Sequence, residues 1–348
     1  METIWFVLVA LMITAYVVLD GFDLGAGILH LVIARTDQER RTVFRTIGPV
    51  WDGNEVFLIA GGGTLFFAFP AFYASSFSGF YLPLCIVLWL LIGRAAGIEF
   101  RHHLDNIVWT GIFDACFCFS SALLAIFFGA ALGNVVRGVA INKDGFFFAP
   151  LWTSWRVESA PGILDWYTVI TGLVALVALA MHGALYIAVK TDGVLNQRAR
   201  RSAAILWPVL IVITIVSLIG TASVRPQALE NFRNHPIGLL IPVLVVFGLT
   251  GMLAFSRKGE DRKAFVSSCL YLASMLAGAA FGLYPNLLPA RNDPASSLTI
   301  YNTASGHQGL TYGLIWWGIG MALAVTYFVI VYRMFRGKVT AEASGYGH

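Results

Sequence analysis

Two carboxylates stand close together in a long apolar stretch near the start of the chain. Asp20 and Asp23 lie in the sequence Asp-Gly-Phe-Asp-Leu-Gly, inside an apolar run over residues 4–34. About 20 such residues cross the hydrocarbon layer of a membrane, so the run predicts a membrane span. Placing one Asp inside a span costs on the order of 3 kcal/mol on insertion scales. Two of them in one span therefore require an explanation, and a route for protons or ions is our working hypothesis.

The two carboxylates share one face of the predicted helix with other polar or small residues. Neighbours on an α-helix face recur every three or four positions. The residues that follow this spacing are Tyr16, Asp20, Asp23, Gly27 and His30. This face can turn away from lipid and toward the interior of a protein.

A second polar cluster begins the next apolar segment. Trp51, Asp52, Asn54 and Glu55 place two carboxylates and an amide within about one helical turn, at the predicted cytoplasmic start of a span. That position suits a proton entrance, and we interpret Asp52 as the acceptor nearest the cytoplasm, with Asp23 as a deeper relay. The alternative is a cluster that caps the helix, because carboxylates are favoured at a helix N-terminus.

Other charged or polar residues are predicted to lie inside the membrane. At a rise of about 1.5 Å per residue from the nearest boundary charge, Asp52, Arg94, Asp114 and His182 lie roughly 10 to 14 Å inside. We expect Arg94 to pair with Asp114 or Asp52, because pairing lowers the cost of burying both charges. The alternative is a structural network that holds the helices in register. We favour this alternative for Asp20 and the functional interpretation for Asp52.

These considerations give two sets of candidate residues. The candidates for the proton pathway are Asp52, Asp23, Asp20 and Glu55. The candidates for charge compensation or polar structural contacts are Arg94, Asp114, Trp51, Asn54 and His182. No phosphate-binding loop and no nucleophile motif accompanies them.

The composition predicts an all-α polytopic membrane protein. Hydrophobic residues make up 58% of the 348 residues, charged residues only 12%, and the mean hydropathy is +0.75, which excludes a soluble domain with a polar surface. The predicted spans are nine, at residues 4–34, 47–72, 80–100, 107–135, 166–189, 203–224, 237–255, 264–284 and 311–332. No signal peptide precedes the first span, which we expect to be retained.

The basic residues predict the orientation of the spans. Most of the 23 Lys and Arg residues fall in the first, third, fifth and seventh connections and in the C-terminal tail. Basic loops stay in the cytoplasm, so the N-terminus is expected outside and the C-terminus in the cytoplasm. The net charge of +4 gives no indication of nucleic-acid binding.

The spans group into two four-helix bundles and one peripheral helix. Short connections favour antiparallel neighbours, which form bundles. The predicted domains are a first bundle at 1–135, an external loop at 136–165, a second bundle at 166–284, an external loop at 285–310, and the ninth helix with a cytoplasmic tail at 311–348.

Neither the histidines nor the cysteines predict a metal site. The histidines in or beside spans are His30, His102, His103 and His182, and no two of them stand four apart as helical ligands would. Each is more simply explained as a hydrogen-bonded packing residue or a loop residue. The four cysteines lie in apolar spans and predict no disulfide framework.

Five stretches, distributed from the first span to the ninth, carry a family resemblance. They are Asp20-Gly-Phe-Asp-Leu-Gly-Ala-Gly, Thr36-Asp-Gln-Glu-Arg-Arg, Trp51-Asp-Gly-Asn-Glu-Val-Phe-Leu-Ile-Ala-Gly-Gly-Gly, Phe77-Ser-Gly-Phe-Tyr and Ser297-Leu-Thr-Ile-Tyr-Asn-Thr-Ala-Ser. With them the chain resembles subunit II of the cytochrome bd-type quinol oxidases. The first and third stretches are the specific ones.

The resemblance implies a haem-free subunit of a quinol oxidase in the bacterial cytoplasmic (inner) membrane. Its expected partner is the haem-bearing subunit I, which carries three haems, two b-type and one d- or b-type, and forms a heterodimer with it. The complex would oxidise ubiquinol or menaquinol and reduce dioxygen to water with protons from the cytoplasm. A bound quinone or lipid, and small single-span subunits, are further possibilities that the family implies.

The resemblance also assigns residues. It places Asp52 in the family's proposed proton path and makes Asp23 a further candidate. Arg94, in Gly-Arg-Ala-Ala-Gly, matches a family position that is usually followed by Pro, and the connection at 225–236 is shorter than in longer members.

Two other hypotheses fit the buried charges. A stand-alone cation-coupled transporter also uses buried carboxylates and helices that contain glycine. A purely structural membrane subunit would use the same residues only to lock helix packing.

Overall fold

The computed structural model describes residues 1–339, most of which are helical. The helices are α1 (Glu2–Ile33), α2 (Asp37–Ile47), α3 (Trp51–Ala68), α4 (Pro70–Gly79), α5 (Tyr81–Phe100), α6 (Ile107–Arg137), α7 (Trp166–Lys190), α8 (Gly193–Val224), α9 (Glu230–Asn234), α10 (Leu240–Arg257), α11 (Asp261–Leu283) and α12 (His307–Met334). Two short strands, β1 (Asn286–Leu288) and β2 (Leu298–Thr299), pair antiparallel between α11 and α12.

Eight helices among the described residues are long and apolar enough to cross a membrane. They are α1, α5, α6, α7, α8, α10 with the turn before it, α11 and α12. The predicted span at 47–72 is instead divided between α3 and α4. The break falls at Phe69, before Pro70, which has no backbone N–H to continue a helix and begins α4.

The first predicted connection contains a helix that the hydropathy pattern did not reveal. α2 begins at a capping box, in which the Thr36 hydroxyl accepts from the Glu39 N–H at 3.2 Å and the Glu39 carboxylate accepts from the Thr36 N–H at 3.1 Å. Arg198 of α8 donates to the same carboxylate at 2.8 Å. α2 is thereby fixed against the ends of α1 and α8.

The molecule has two faces at the ends of its long helices. We call one the basic face; it carries α2, the turns after α5, α7 and α10, and the end of α12. We call the other the loop face; it carries the segments 138–165 and 284–306. On the loop face, Arg137 donates to the carboxylate of Asp165 and, at 3.1 Å, to the carbonyl of Gly162, all buried or nearly so. This contact joins the end of α6 to the start of α7.

α1 lies at the centre of the packing. It contacts α3, α6, α7 and α11, while α5 packs on α6, α8 on α7, and α10 on α11. At the crossing of α1 and α7, Gly25 and Gly183 face each other. A Cβ on Gly25 would lie 2.0 Å from the Leu179 carbonyl oxygen and 2.7 Å from the Gly183 Cα. Only glycine allows the two backbones to approach this closely.

α12 is held mainly by a few contacts along one side. The most apolar window of this helix has no buried residue within the described chain. On the loop face, the Trp5 indole N–H donates to the Leu310 carbonyl at 3.2 Å. On the basic face, the Lys190 ammonium donates to the Phe335 carbonyl at 2.7 Å. Such a helix can present most of its surface to lipid or to another chain.

We expect Gly25→Ala to destabilise the subunit by about 1 to 3 kcal/mol, because the added methyl group has no space at the α1–α7 crossing. The measurement is the midpoint of thermal unfolding of the purified protein in detergent. Gly111→Ala is the control, since a Cβ there meets no atom within 4 Å and should leave the midpoint unchanged or raise it. Equal effects of the two substitutions would contradict this account of the crossing.

Candidate functional site

Asp20 and Arg94 form a bidentate ion pair between α1 and α5. The Arg94 Nη1 and Nη2 atoms donate to the two carboxylate oxygens at 2.7 and 2.6 Å, and both side chains are fully buried. The planar guanidinium matches the carboxylate, which makes this one of the stronger forms of ion pair. Arg94 also lies 6.0 Å from the centre of the Trp51 ring. Asp20 is therefore compensated in place, as expected for a structural charge.

The expectation that Arg94 pairs with Asp114 or Asp52 is wrong. The predicted depth of Arg94 is counted from Arg101, the nearest charge expected at the membrane boundary. Arg101 is itself only 1% exposed, and its Nε donates to Asp114 at 2.6 Å. Arg101, about two helical turns further along the chain, thus occupies Asp114, and Arg94 pairs with Asp20 instead.

Asp23 has a different environment from Asp20, three residues away. It is fully buried, and its Oδ2 accepts from the Asn54 amide at 2.7 Å, while its Oδ1 has no hydrogen-bond partner within residues 1–339. The Asn54 amide also donates to the Leu19 carbonyl at 3.2 Å. Asp23 thus forms no ion pair in the described chain, and one carboxylate oxygen is available.

A tyrosine on α12 binds the other end of the Asn54 amide. This residue, Tyr332, was not among the predicted site residues. The Tyr332 hydroxyl donates to the Asn54 Oδ1 at 2.8 Å. In the sequence, Tyr332 is only the last residue of the predicted ninth span. The sequence feature that could have identified Tyr332 is a tyrosine hydroxyl close to the basic end of an apolar helix.

The four residues of the cluster at the start of α3 point in different directions. Trp51 and Asn54 are buried, and Glu55 is partly buried, with its carboxylate 3.4 Å from Arg94. Asp52 is exposed and forms no side-chain hydrogen bond or ion pair with the described residues. No side chain caps this helix, because its N-cap residue is Val50. The cluster therefore lacks the hydrogen bond that the capping interpretation requires.

Asp114 belongs to a separate cluster at the basic face. It is fully buried and accepts from His30 Nε2 at 2.7 Å, Arg101 Nε at 2.6 Å and Arg40 Nη1 at 3.0 Å. Arg101 also donates to Asp37 at 2.6 Å. The cluster joins α1, α2, the end of α5 and α6. His30, Arg40 and Arg101 are partners that the sequence did not assign to Asp114.

Two residues on the exposed side of this cluster, Asp37 and His102, each keep one protonation state at neutral pH. Burial raises the pKa of Asp37, but hydrogen bonds from Arg101 and Arg41 outweigh this effect, so the pKa lies below the usual 3.8. The pKa of the neighbouring His102 is lowered by burial and by the charges of Arg101 and Arg41. Asp37 therefore stays negatively charged and His102 neutral at pH 7.

His182 packs between α1, α7 and α11. Its Nδ1 lies 2.7 Å from the Ser268 hydroxyl and its Nε2 lies 3.0 Å from the Val18 carbonyl, so that carbonyl accepts from the Nε2–H. The ring stacks on Phe265 at 4.8 Å. Both nitrogens are used by the protein, and neither is left to bind a metal. Within residues 1–339, no group of three or more His, Cys, Asp or Glu side chains is arranged to hold a metal ion.

Comparisons with known proteins agree on one family. The sequence model of the family described as "Cytochrome bd terminal oxidase subunit II" matches residues 1–335. A "Probable cytochrome oxidase subunit 2" of Haemophilus influenzae is 31% identical over 97% of this chain and 95% of its own length. The "Cytochrome bd ubiquinol oxidase subunit 2" of Bacillus subtilis is 30% identical over 98% and 97%.

A further relative and a solved structure extend this similarity. The "Cytochrome bd-I ubiquinol oxidase subunit 2" of Escherichia coli K12 is 30% identical over 97% of this chain and 95% of its own. A chain in the structure of bd oxidase from Geobacillus thermodenitrificans aligns with a TM-score of 0.75 at 18% identity, covering 96% of this chain and 98% of that one. At this identity the structural match concerns the fold alone.

Removing one member of the Asp20–Arg94 pair should be strongly destabilising. We expect Arg94→Met alone to cost about 3 to 5 kcal/mol, because it leaves a buried carboxylate without its cation. The double variant Asp20→Asn, Arg94→Met should lose less stability than the two single variants lose when their losses are added together. Thermal unfolding of the purified proteins measures this coupling, with Arg233→Met, an exposed arginine, as the control. Strictly additive losses would show that the two residues do not act as a pair.

Proposed function

Because the chain belongs to the cytochrome bd terminal oxidase subunit II family, we propose that carboxylates of this chain, above all Asp23, carry protons for the oxidase. The chain is a subunit of a respiratory quinol oxidase and a multi-pass protein of the bacterial inner membrane. The hypothesis of a stand-alone cation-coupled transporter has no support from this family membership. The activity belongs to the assembled complex.

The partner we propose is the haem-bearing subunit I, in a heterodimer. This partner would hold the complex's three haems, two b-type and one d- or b-type, and the complex would act on quinol and dioxygen. In the described chain, His30 and His182 are engaged by Asp114 and by Ser268 with Val18. This supports a subunit that leaves haem ligation to another chain. A bound quinone or lipid, and small single-span subunits, belong to the same proposal.

The topology we propose has nine spans, with α3 and α4 forming the span that falls outside the eight apolar helices. The first bundle would contain α1, α3, α5 and α6, and the second α7, α8, α10 and α11, with α12 peripheral. The basic face would lie in the cytoplasm, since Lys and Arg collect in the turns on that side. The contacts of α1 with α7 and α11 would then form the boundary between bundles.

The observation that carries the proton-route proposal is the environment of Asp23. A relay needs a group that can change its charge state at modest cost. Asp20 is held by Arg94 and Asp114 by three cationic or polar partners, whereas Asp23 has only the Asn54 amide. A carboxylate with one free oxygen can accept a proton there and remain hydrogen-bonded through the other. Asp23 is therefore the relay we assign.

Two further acidic residues lie on α3 near this relay. Asp52 and Glu55 are one helical turn apart, on either side of Asn54 in the sequence. Asp52 is exposed and Glu55 is partly exposed, so both can exchange protons with water or with a partner chain. We assign Asp52 as an acceptor near the cytoplasm and Glu55 as a secondary site. Asp20 remains among the candidate residues of the proton pathway, as the neighbour of Asp23 whose charge is compensated by Arg94.

We expect Asp23→Asn to lower the turnover of the purified complex by about tenfold or more, because a positioned proton carrier typically contributes at least that factor. Oxygen consumption with a soluble quinol and proton uptake by the complex measure the effect. Asp144→Asn, at an exposed aspartate on the loop face, is the matched control. Normal turnover and normal proton uptake in assembled Asp23→Asn would remove the relay from the proposal.

The surface carboxylate can be tested separately. Asp52→Asn should reduce proton uptake less than Asp23→Asn, because Glu55 stands one turn away on the same helix and can replace it. The comparison uses the same two assays on the same complex. A larger defect in Asp52→Asn than in Asp23→Asn would place the limiting step at the surface instead.

A further inference from the structure

A cavity of about 300 Å³ opens on the basic face, between the end of α2, the end of α7 and the end of α12. Four cationic side chains line it: Arg45 from α2, Lys190 from α7, and Arg336 and Lys338 from the segment after α12. Among the described residues, its lining contains no Asp or Glu. The wall of this cavity is therefore strongly positive.

The segment after α12 is fixed in the position that brings two of these cations to the cavity. The Lys190 ammonium donates to the Phe335 carbonyl at 2.7 Å, and the Lys190 carbonyl accepts from the Val339 N–H at 2.8 Å. Lys338 pairs with Asp192 at the start of α8. These contacts carry the chain across the end of α7. The fold thus holds several like charges around one volume, although they repel each other.

Two of the cations keep hydrogen-bonding capacity for a ligand. An ammonium group has several N–H donors, and Lys190 uses one of them on a carbonyl, which has no net charge. Arg336 is exposed and forms no hydrogen bond or ion pair with the described residues. An ammonium and a guanidinium group at one cavity suit the oxygen atoms of a phosphate group, which accept charge-assisted hydrogen bonds.

The hydroxyl groups in the lining donate to the protein itself. Tyr186 donates to the Thr46 carbonyl at 3.0 Å, and the Thr46 hydroxyl donates to the Val43 carbonyl at 2.6 Å. Tyr332 donates to Asn54 at 2.8 Å. Recognition of a ligand therefore depends on the cations, and this favours an anion over a neutral polar molecule.

An exposed stripe on α12 begins at the rim of the cavity. Met334 lines the cavity, and Ile330, Tyr327 and Leu323 follow it at the spacing of one helix face, all of them exposed. The stripe runs along a helix that is long and apolar enough to cross a membrane. A phosphate group in the cavity would therefore have apolar surface beside it for hydrocarbon chains.

We propose that this cavity binds the phosphate group of an anionic phospholipid, whose acyl chains lie along the stripe on α12. This inference rests on the proposed function, in which the basic face lies in the cytoplasm and a lipid belongs to the complex. Basic pockets between membrane helices on that side are suited to anionic headgroups. The bound phosphate offsets the repulsion among the cations and so ties the ends of α2, α7 and α12 together.

The test measures binding of dioleoylphosphatidylglycerol, an anionic lipid, to the delipidated oxidase complex by native mass spectrometry. Arg336→Gln removes one cation of the cavity. We expect it to weaken the tightest binding about fivefold, the typical contribution of one basic residue near anionic headgroups. Arg333→Gln is the matched control, because Arg333 is an exposed arginine at the same end of α12 and outside the lining. Equal affinities of the two variants would overturn the site.

Three probes distinguish a lipid headgroup from a free anion. Dioleoylphosphatidylglycerol should bind more tightly than dioleoylphosphatidylcholine, and the difference should shrink as salt is raised, because ions screen the cations. Inorganic phosphate should compete only weakly, since it has no acyl chains. Competition by inorganic phosphate at the concentrations at which the lipid binds would overturn the lipid assignment.

The stripe is tested by a polar substitution on α12. Ile330→Ser should weaken binding of the lipid and leave binding of inorganic phosphate unchanged. Val325→Ser is the control, because Val325 is exposed on the opposite side of the same helix. Equal lipid affinities of Ile330→Ser and Val325→Ser would overturn the placement of the acyl chains.

The lipid site and the proton relay fail separately. Asp23 does not line the cavity, so Asp23→Asn should bind dioleoylphosphatidylglycerol as the wild-type complex does. Normal turnover in Asp23→Asn would remove the relay and leave the lipid site in place. Wild-type lipid affinity in Arg336→Gln, together with a turnover defect in Asp23→Asn, would remove the lipid site alone.

Discussion

The structure depends on one buried ion pair, in which two opposite charges compensate each other away from water. Arg94 and Asp20 cancel each other through two short hydrogen bonds, and the pair is buried between α1 and α5. Breaking such a pair is costly, so the rotation of both helices about their axes is fixed. With α1 fixed, its glycine face meets α7 at Gly25 and Gly183, and its polar face meets α3. The central position of α1 follows from these contacts.

The carboxylates in the helix bundle fall into two kinds. Asp20 and Asp114 accept hydrogen bonds from cationic partners, and these hydrogen bonds stabilise the ionised form of each carboxylate. Asp23 is held by an amide, which stabilises either protonation state less strongly than a cation stabilises the anion. The difference within three residues of one helix arises because Asp20 faces α5 and Asp23 faces α3. One helix thus carries one carboxylate that is paired with a cation and one that is not.

Much of the fold could be predicted from the sequence, because apolar length and hydropathy report membrane helices directly. Eight of the long helices correspond to predicted spans, while the break at Phe69 and the helix α2 depend on Pro70 and on a capping box that hydropathy does not register. The partners of the buried charges were harder to predict. No pattern in the sequence shows that Arg101 pairs with Asp114 and that Arg94 pairs with Asp20. Tyr332 and Asn54 are 278 residues apart, so no local pattern could relate them.

α12 leaves the ribosome after the eleven helices that precede it in the described chain, and this order has a consequence for biogenesis. Until α12 inserts, the Asn54 amide has no phenol to hold its oxygen, and the end of α7 has no chain folded across it. The contact between α3 and the end of α12 is therefore completed only in the last insertion step. A subunit caught before that step would already contain its central helices and the Asp20–Arg94 pair, but Asn54 would lack its hydrogen bond to Tyr332.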